Sequence, residues 1–482
     1  MVESALVQAF TRLVRLRAGQ PLVISPGRAM TVGEVDDLAT AAVMRWRTEG
    51  LPPGTPIALA AANGPGFLAI LVALRRLGWV PVLFDVKAPE AERRRVARAL
   101  GCPRIARCER IWPQSPADLE LQPVALAGPA SHLDPALGVV KLTSGSTGEP
   151  RGILVDEQSL LADDEALAQT MGLRPTERIL AAVPLTHSYG LASIVLPALV
   201  RGSTILLPDE DAGPLGPLRA AHHLGATFFP TVPSYLDAVL RRSTPPAWPD
   251  SLGLTITAGA VLRPETAARF RRTYDRPVHV FYGSSETGGI TYDREGGAGE
   301  RGTVGQPVAG VSIELEPLAG ESAGSGLVVI RSPAVARGYW PTSAPERLHG
   351  GVFRSGDLGR FVAGELELSG RTDDVINIRG KKVNPREVEA VVATLPGVDE
   401  VVVVGAHSPG REDELVRAIV ACPAGRLSVQ DVVAWCRPRL AEHKVPRSVV
   451  LLPTLPRTAR GKIDRVALRR LEAPDPLTTG AV

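Results

Sequence analysis

The sequence predicts an α/β protein in which a large N-terminal domain of two α/β lobes and a small β-rich lobe precedes a small α+β C-terminal domain. Three observations predict it. Short apolar, strand-like runs alternate with helical periodicity to about residue 300, short alternating strands between Gly/Pro turns take over from about Gly302, and helix signals return only at Asn384.

In the first lobe, Thr31-Val32-Gly33-Glu34 has capping-box spacing, and the run to Arg47 puts Val35, Leu38, Ala39, Ala42 and Val43 on one helical face. Pro56 to Ala60 and Val80 to Phe84 read as strands around a helical stretch from Gly66 to Leu77. The alternation recurs through Arg178 to Val183, the helical Gly190 to Val200, Thr204 to Leu207, Ala226 to Phe229, Thr255 to Thr257 and Val278 to Phe281. Gly310 to Leu315 and Gly326 to Ile330 are strands of the β-rich lobe, about 301–370. The polar stretch Gly370 to Asn377 marks a boundary, giving domains of 1–372 and 373–482. Beyond it Asn384 caps a helix with Pro385 at its first position, Glu400 to Val404 is a strand, and a second helix runs near Ser428 to Leu440.

Composition narrows the possibilities. With 44% hydrophobic and 22% charged residues the chain is neither disordered nor fibrous, and 48 Gly and 43 Pro call for many turns without reaching low complexity. A formal charge of +3 argues for no nucleic-acid partner. The N-terminus lacks a signal-peptide pattern, and Arg75, Arg76 and Pro81 break the apolar stretch from Phe67 to Phe84, so no membrane association and a cytoplasmic location are expected. Cys102, Cys108, Cys422 and Cys436 have no C-x-x-C spacing, which indicates packed thiols rather than a disulfide framework or zinc knuckle.

The most informative segment is Lys141-Leu-Thr-Ser-Gly-Ser-Thr-Gly-Glu-Pro-Arg-Gly152, which follows the apolar Gly138-Val139-Val140. Its hydroxyls and closely approachable glycine N–H groups suit a polyphosphate, and Arg151 adds charge. The spacing is not that of a P-loop NTPase, because Gly145 and Gly148 are followed by Glu149-Pro150 rather than Gly-Lys-Ser/Thr.

This segment resembles the phosphate-binding signature of the adenylate-forming superfamily of acyl-CoA synthetases, peptide-synthetase adenylation domains and luciferases. Four further segments resemble that family in order: Tyr282-Gly-Ser-Ser-Glu286, Ser355-Gly-Asp357, Gly370-Arg-Thr-Asp-Asp374 with Gly380, and Pro456-Arg-Thr-Ala-Arg-Gly-Lys462. The resemblance implies ATP contacts at Thr143, Ser144, Gly145, Ser146, Thr147, Gly148 and Arg151. It also implies an aromatic plane on adenine at Tyr282, a backbone wall beside it at Gly259 and Ala260, a hydroxyl at Ser285, and ribose and nucleotide contacts at Asp357 and Arg371. Glu286 is implied as the carboxylate associated with Mg2+, Lys462 as the catalytic lysine at the substrate carboxylate and α-phosphate, Asp373 as the hinge of a mobile C-terminal domain, and Gly380 as the lining of a pantetheine tunnel. Two positions depart from the commonest family pattern: Arg151 stands where lysine is usual and Ser285 where threonine is usual.

The chemistry implied is attack of a small-molecule carboxylate on the α-phosphorus of ATP, giving an acyl-adenylate and pyrophosphate, then transfer to a thiol of coenzyme A or phosphopantetheine. Relatives that activate amino acids place an aspartate near Tyr189, whereas residues 184–200 contain no Asp or Glu, so a non-amino acid is expected. His187, Ser188 and Tyr189 are candidate acyl contacts, with Gly283 and Gly288 leaving room for a flat ring; His187 serves equally as a core histidine. Coenzyme A is the preferred acceptor. The alternatives are an adenylation enzyme that loads a carrier protein in trans or another nucleophile, and a catalytically inactive nucleotide-binding protein, against which the joint presence of Lys462, Glu286 and Asp357 speaks.

Overall fold

Thr31 caps the helix Val32–Trp46 as its spacing predicts, its hydroxyl accepting from Glu34 N at 3.2 Å while the Glu34 carboxylate accepts from Thr31 N at 2.7 Å. The computed structural model describes residues 4–144, 150–318, 324–372, 376–378, 381–407, 414–440, 442–458 and 463–471. The fold divides into two compact units, one of 1–313, 329–354 and 362–366, the other of 314–328, 355–361 and 367–482.

The first unit is built on two sheets. One has nine strands and a parallel centre, in which Leu254–Thr257 lies between Phe228–Thr231 and His279–Ser284. The other has seven strands, with Pro56–Ala61 parallel to Val80–Leu83 and to Arg104–Cys108, and Val80–Leu83 parallel to Leu137–Ser144. Both take antiparallel strands at their edges. Centres buried on both faces explain the continuous apolar runs; all six residues of Pro56–Ala61 are buried. The helical stretch expected from Gly190 to Val200 begins as a short helix, Ser188–Gly190, and opens into π-type turns over Leu191–Val195 and Pro197–Arg201. Proline at position 197 has no N–H to donate, in keeping with that opening.

Between 301 and 370 five strands form a further sheet, ordered Ser312–Glu316, Ser325–Arg331, Val352–Val362, Leu348–His349, with Glu365–Arg371 on Val352–Val362, while Gln306–Pro307 and Gly338–Trp340 join the edges of the nine- and seven-stranded sheets. In the second unit, Asn384 caps Pro385–Ala393 through its side-chain oxygen, which accepts from Arg386 N at 3.0 Å. Glu400–His407, Glu414–Ala421 and Ser448–Leu452 make a three-stranded sheet. Its alternating residues bury Val403, Ala418 and Val420 with Val388, Val392 and Val432 on one face, and Val402, Val404 and Ile419 with Leu455 and Leu468 on the other. The four cysteines are unbridged and buried, and no helix among the described residues is long and apolar enough to cross a membrane.

Candidate active site

Adjacent parallel strands bring the nucleotide candidates to one sheet end. Ile256 is in register with His279 and Thr257 with Val280, so Ala258 to Ala260, which follow the first strand, and Tyr282 to Ser284, which end the second, lie at the carboxyl ends of adjacent strands. That is where open α/β sheets hold ligands. Gly259 has φ +82°, a value glycine adopts without strain, and both it and Ala260 are exposed beside the half-buried Tyr282.

A hydroxyl turn aims Glu286. Ser284 Oγ accepts from the N–H groups of Glu286 and Thr287, each at 3.2 Å, and contacts Thr287 Oγ1 at 2.9 Å. The Tyr339 hydroxyl donates to Glu286 Oε1 at 3.0 Å, and Ala336 N donates to the Glu286 carbonyl at 2.7 Å. Arg151, across the strand pair from Thr143, lays its guanidinium 3.8 Å from the centroid of the Tyr339 ring. Ser144 pairs with Pro150 in the same ladder.

Beneath this turn lie two buried charged side chains, Lys141 and Asp163, that sequence reasoning missed. Lys141, 4% exposed, donates to the Ser285 carbonyl at 3.3 Å, and burial lowers its pKa against the opposing pull of Asp163 and Glu286. Asp163, equally buried, accepts from Gly289 N at 2.9 Å; desolvation pushes its carboxyl up to about 6 despite Lys141 and that hydrogen bond. A lysine inside the strand Leu137–Ser144 was the available signal for the pair. Tyr339 carried no signal, its contact with Glu286 spanning 53 residues.

The acyl candidates meet the tyrosine-led segment directly. Ser188 Oγ donates to Ser285 Oγ at 2.8 Å, and Tyr189 donates to the Ile256 carbonyl at 3.4 Å with its ring 5.9 Å from that of Phe281. Burial raises the Tyr189 hydroxyl well above its ordinary pKa, so it is protonated near neutrality. His187 Nε2 is 3.9 Å from Asp85 Oδ2. At these glycines an added side chain would meet protein atoms. A β-carbon at Gly288 would lie 2.3 Å from the Asp163 carboxylate, one at Gly283 2.5 Å from the Gly288 carbonyl oxygen, and one at Gly289 2.7 Å from Leu167. Close packing in the direction of a side chain accounts for glycine at these positions.

In the second unit Arg371 Nε is 3.6 Å from Asp357 Oδ1, and Asp357 N donates to Ser355 Oγ at 3.0 Å. Gly145, Ser146, Thr147, Gly148, Asp373, Gly380 and Lys462 lie outside the described residues. Among the described residues no cluster of three or more His, Cys, Asp or Glu side chains forms a metal cage. Glu286 as a single carboxylate fits Mg2+ nonetheless, because that ion is commonly held by one or two carboxylates together with substrate phosphates and water.

The chain was compared with known proteins. The chain is 29% identical over 495 residues to a feruloyl-CoA synthase of an Amycolatopsis species, covering 95% of this chain and 97% of that one. It is 28% identical over 497 residues to a 3-hydroxybenzoate–CoA ligase of an Aromatoleum species, covering 94% of each. Its fold matches the o-succinylbenzoate CoA synthetase of Bacillus subtilis, solved with its acyl-adenylate, at a TM-score of 0.81, with 21% identity over 96% of this chain and 98% of that one. The AMP-binding enzyme pattern matches residues 10–340 and the pattern of the AMP-binding enzyme C-terminal domain matches 387–462. On that extent of match, the chain belongs to the AMP-binding enzyme family.

Proposed function

We propose that the protein activates a non-amino carboxylic acid, aryl or short to medium acyl, as its acyl-adenylate and passes the acyl group to the thiol of coenzyme A. It is an AMP-forming acid–thiol ligase of the acyl-CoA synthetase type. The observation that carries the reading is the 2.8 Å hydrogen bond from Ser188 to Ser285, which joins the acyl segment to the tyrosine-led nucleotide segment. That contact supports a single site for acid and nucleotide.

In the first step a carboxylate oxygen attacks the α-phosphorus and pyrophosphate leaves. The acid is already ionised near neutral pH, so no general base is required. What is required is in-line positioning and neutralisation of charge on the phosphoryl oxygens. We assign Tyr282, Gly259 and Ala260 to adenine, Asp357 and Arg371 to the nucleoside, the 143–151 loop to the phosphates, and Lys462 to the substrate carboxylate and α-phosphate. Glu286 would hold Mg2+, which supplies further charge neutralisation at the phosphates when bound. In the second step the thiol sulfur attacks the acyl carbon, AMP leaves with the bonding electron pair, and the thiol proton passes to solvent. Rotation of the C-terminal domain about Asp373 would withdraw Lys462 and bring Gly380 to the thiol's path.

The acid-free segment 184–200 supports a substrate without an ammonium group, and the names of the feruloyl and 3-hydroxybenzoate relatives support an aryl acid. Pyrophosphate release against aryl, fatty and amino acids, with and without coenzyme A, tests the reading. Release with an aryl or acyl acid and thioester formation only with coenzyme A is expected. Preference for amino acids would overturn the substrate class, and acid-dependent release with no thioester would move the acceptor to a carrier protein or another nucleophile.

A further inference from the structure

Tyr339 occupies a position that none of the nucleotide or acyl roles above explains. It is 7% exposed, on the strand Gly338–Trp340, which pairs antiparallel with Pro150–Asp156 so that Tyr339 is opposite Ile153 and Trp340 opposite Gly152. The segment before it is pinned as well: Ser159 Oγ donates to the Val335 carbonyl at 3.3 Å and Ala336 N to the Glu286 carbonyl at 2.7 Å. From this fixed place its ring receives the Arg151 guanidinium at 3.8 Å on one face, while its hydroxyl donates to Glu286 Oε1 at 3.0 Å.

We propose that Tyr339 is a positioning residue that couples Arg151 to Glu286, setting the phosphate-facing cation and the metal-associated carboxylate as one unit. The inference rests on the assignment of Arg151 and Glu286 to the phosphates and Mg2+. The two contacts reinforce one another. A phenol that donates to a carboxylate shifts negative charge toward its ring, and a more negative ring face attracts a guanidinium more strongly. The arrangement also accounts for arginine at position 151: a planar guanidinium can lie flat on a ring, whereas a lysine ammonium is a compact point charge that keeps its own water.

The test is the affinity for α,β-methylene-ATP, measured by isothermal titration calorimetry without and with saturating Mg2+, on the full chain and its Tyr339→Phe, Tyr339→Leu and Glu286→Gln variants. Tyr339→Phe removes one hydroxyl and keeps the ring, so binding without Mg2+ should stay within about twofold, while the gain in affinity brought by Mg2+ should shrink by roughly tenfold, the scale of a hydrogen bond to a charged group. Tyr339→Leu should weaken Mg2+-free binding too, because Arg151 loses its platform. A Tyr339→Phe protein with the full Mg2+ gain would overturn the coupling. Glu286→Gln separates the two levels. Loss of the Mg2+ gain there supports the metal assignment, whereas its retention would sink that assignment together with the coupling built on it.

Discussion

Lys141 donates to the Ser285 carbonyl at 3.3 Å from inside a sheet, with the charges of Asp163 and, more weakly, Glu286 favouring its ammonium. A cation in so dry a place is tolerated only where carboxylates and a carbonyl replace its water. The strand that leads into the phosphate loop is thereby tied to the turn that carries Glu286.

Removing one of the two buried charges should cost more than removing both. Asp163→Leu leaves the Lys141 ammonium without its partner and is expected to destabilise the first unit by about 3–5 kcal/mol, while Lys141→Met combined with Asp163→Leu should recover most of the loss. Urea denaturation of the two single variants and the double variant measures this. Additive losses would show that the two charges do not compensate one another.

Asp163 also gives a pH signature. Its folded value near 6 lies above the ordinary carboxylate value of about 4, so the folded state holds this proton more tightly than the unfolded chain. The contribution to stability is therefore full below about pH 4 and is lost as pH rises to about 6. Asp163→Asn should remove that downward slope between pH 4 and 6, read as the change in urea midpoint across the window. An unchanged slope would contradict the assignment.

Gly288→Ala should be severe for a single methyl group. The φ of +69° strains any L-residue, and the new carbon would stand 2.3 Å from the buried Asp163 carboxylate. A loss of about 2–4 kcal/mol in thermal or urea unfolding is expected from strain and overpacking together. A near-neutral result would mean that the turn relaxes away from Asp163.

Local structure was legible because local rules determine it. Thr31 with Glu34 and Asn384 with Pro385 both read correctly from short-range spacing. The strand Pro56–Ala61 was visible because a strand covered on both faces is uniformly apolar. The site was legible as candidates and not as contacts. The Ser188 to Ser285 hydrogen bond spans 97 residues and the Tyr339 to Glu286 bond 53, and no periodicity encodes such pairings.

The two half-reactions should separate genetically. Lys462→Ala is expected to lower carboxylate-dependent pyrophosphate exchange by at least about 100-fold, the scale for losing a charge-stabilising donor, with unfolding unchanged. Asp373→Pro should spare that exchange and depress thioester formation, because a fixed φ impedes the domain rotation. Equal effects of Asp373→Pro on both steps would remove Asp373 as the hinge, and undiminished exchange in Lys462→Ala would remove that lysine from the chemistry.

The most direct measurement follows an oxygen atom. With the best acid of the substrate panel labelled in its carboxylate with 18O, and with ATP, Mg2+ and coenzyme A present, mass spectrometry should find one labelled oxygen in AMP, because the acid's oxygen bonds to the α-phosphorus and stays there when the thiol displaces it. Label appearing in inorganic phosphate, with ADP as the nucleotide product, would mean attack at the γ-phosphorus and would contradict adenylate formation.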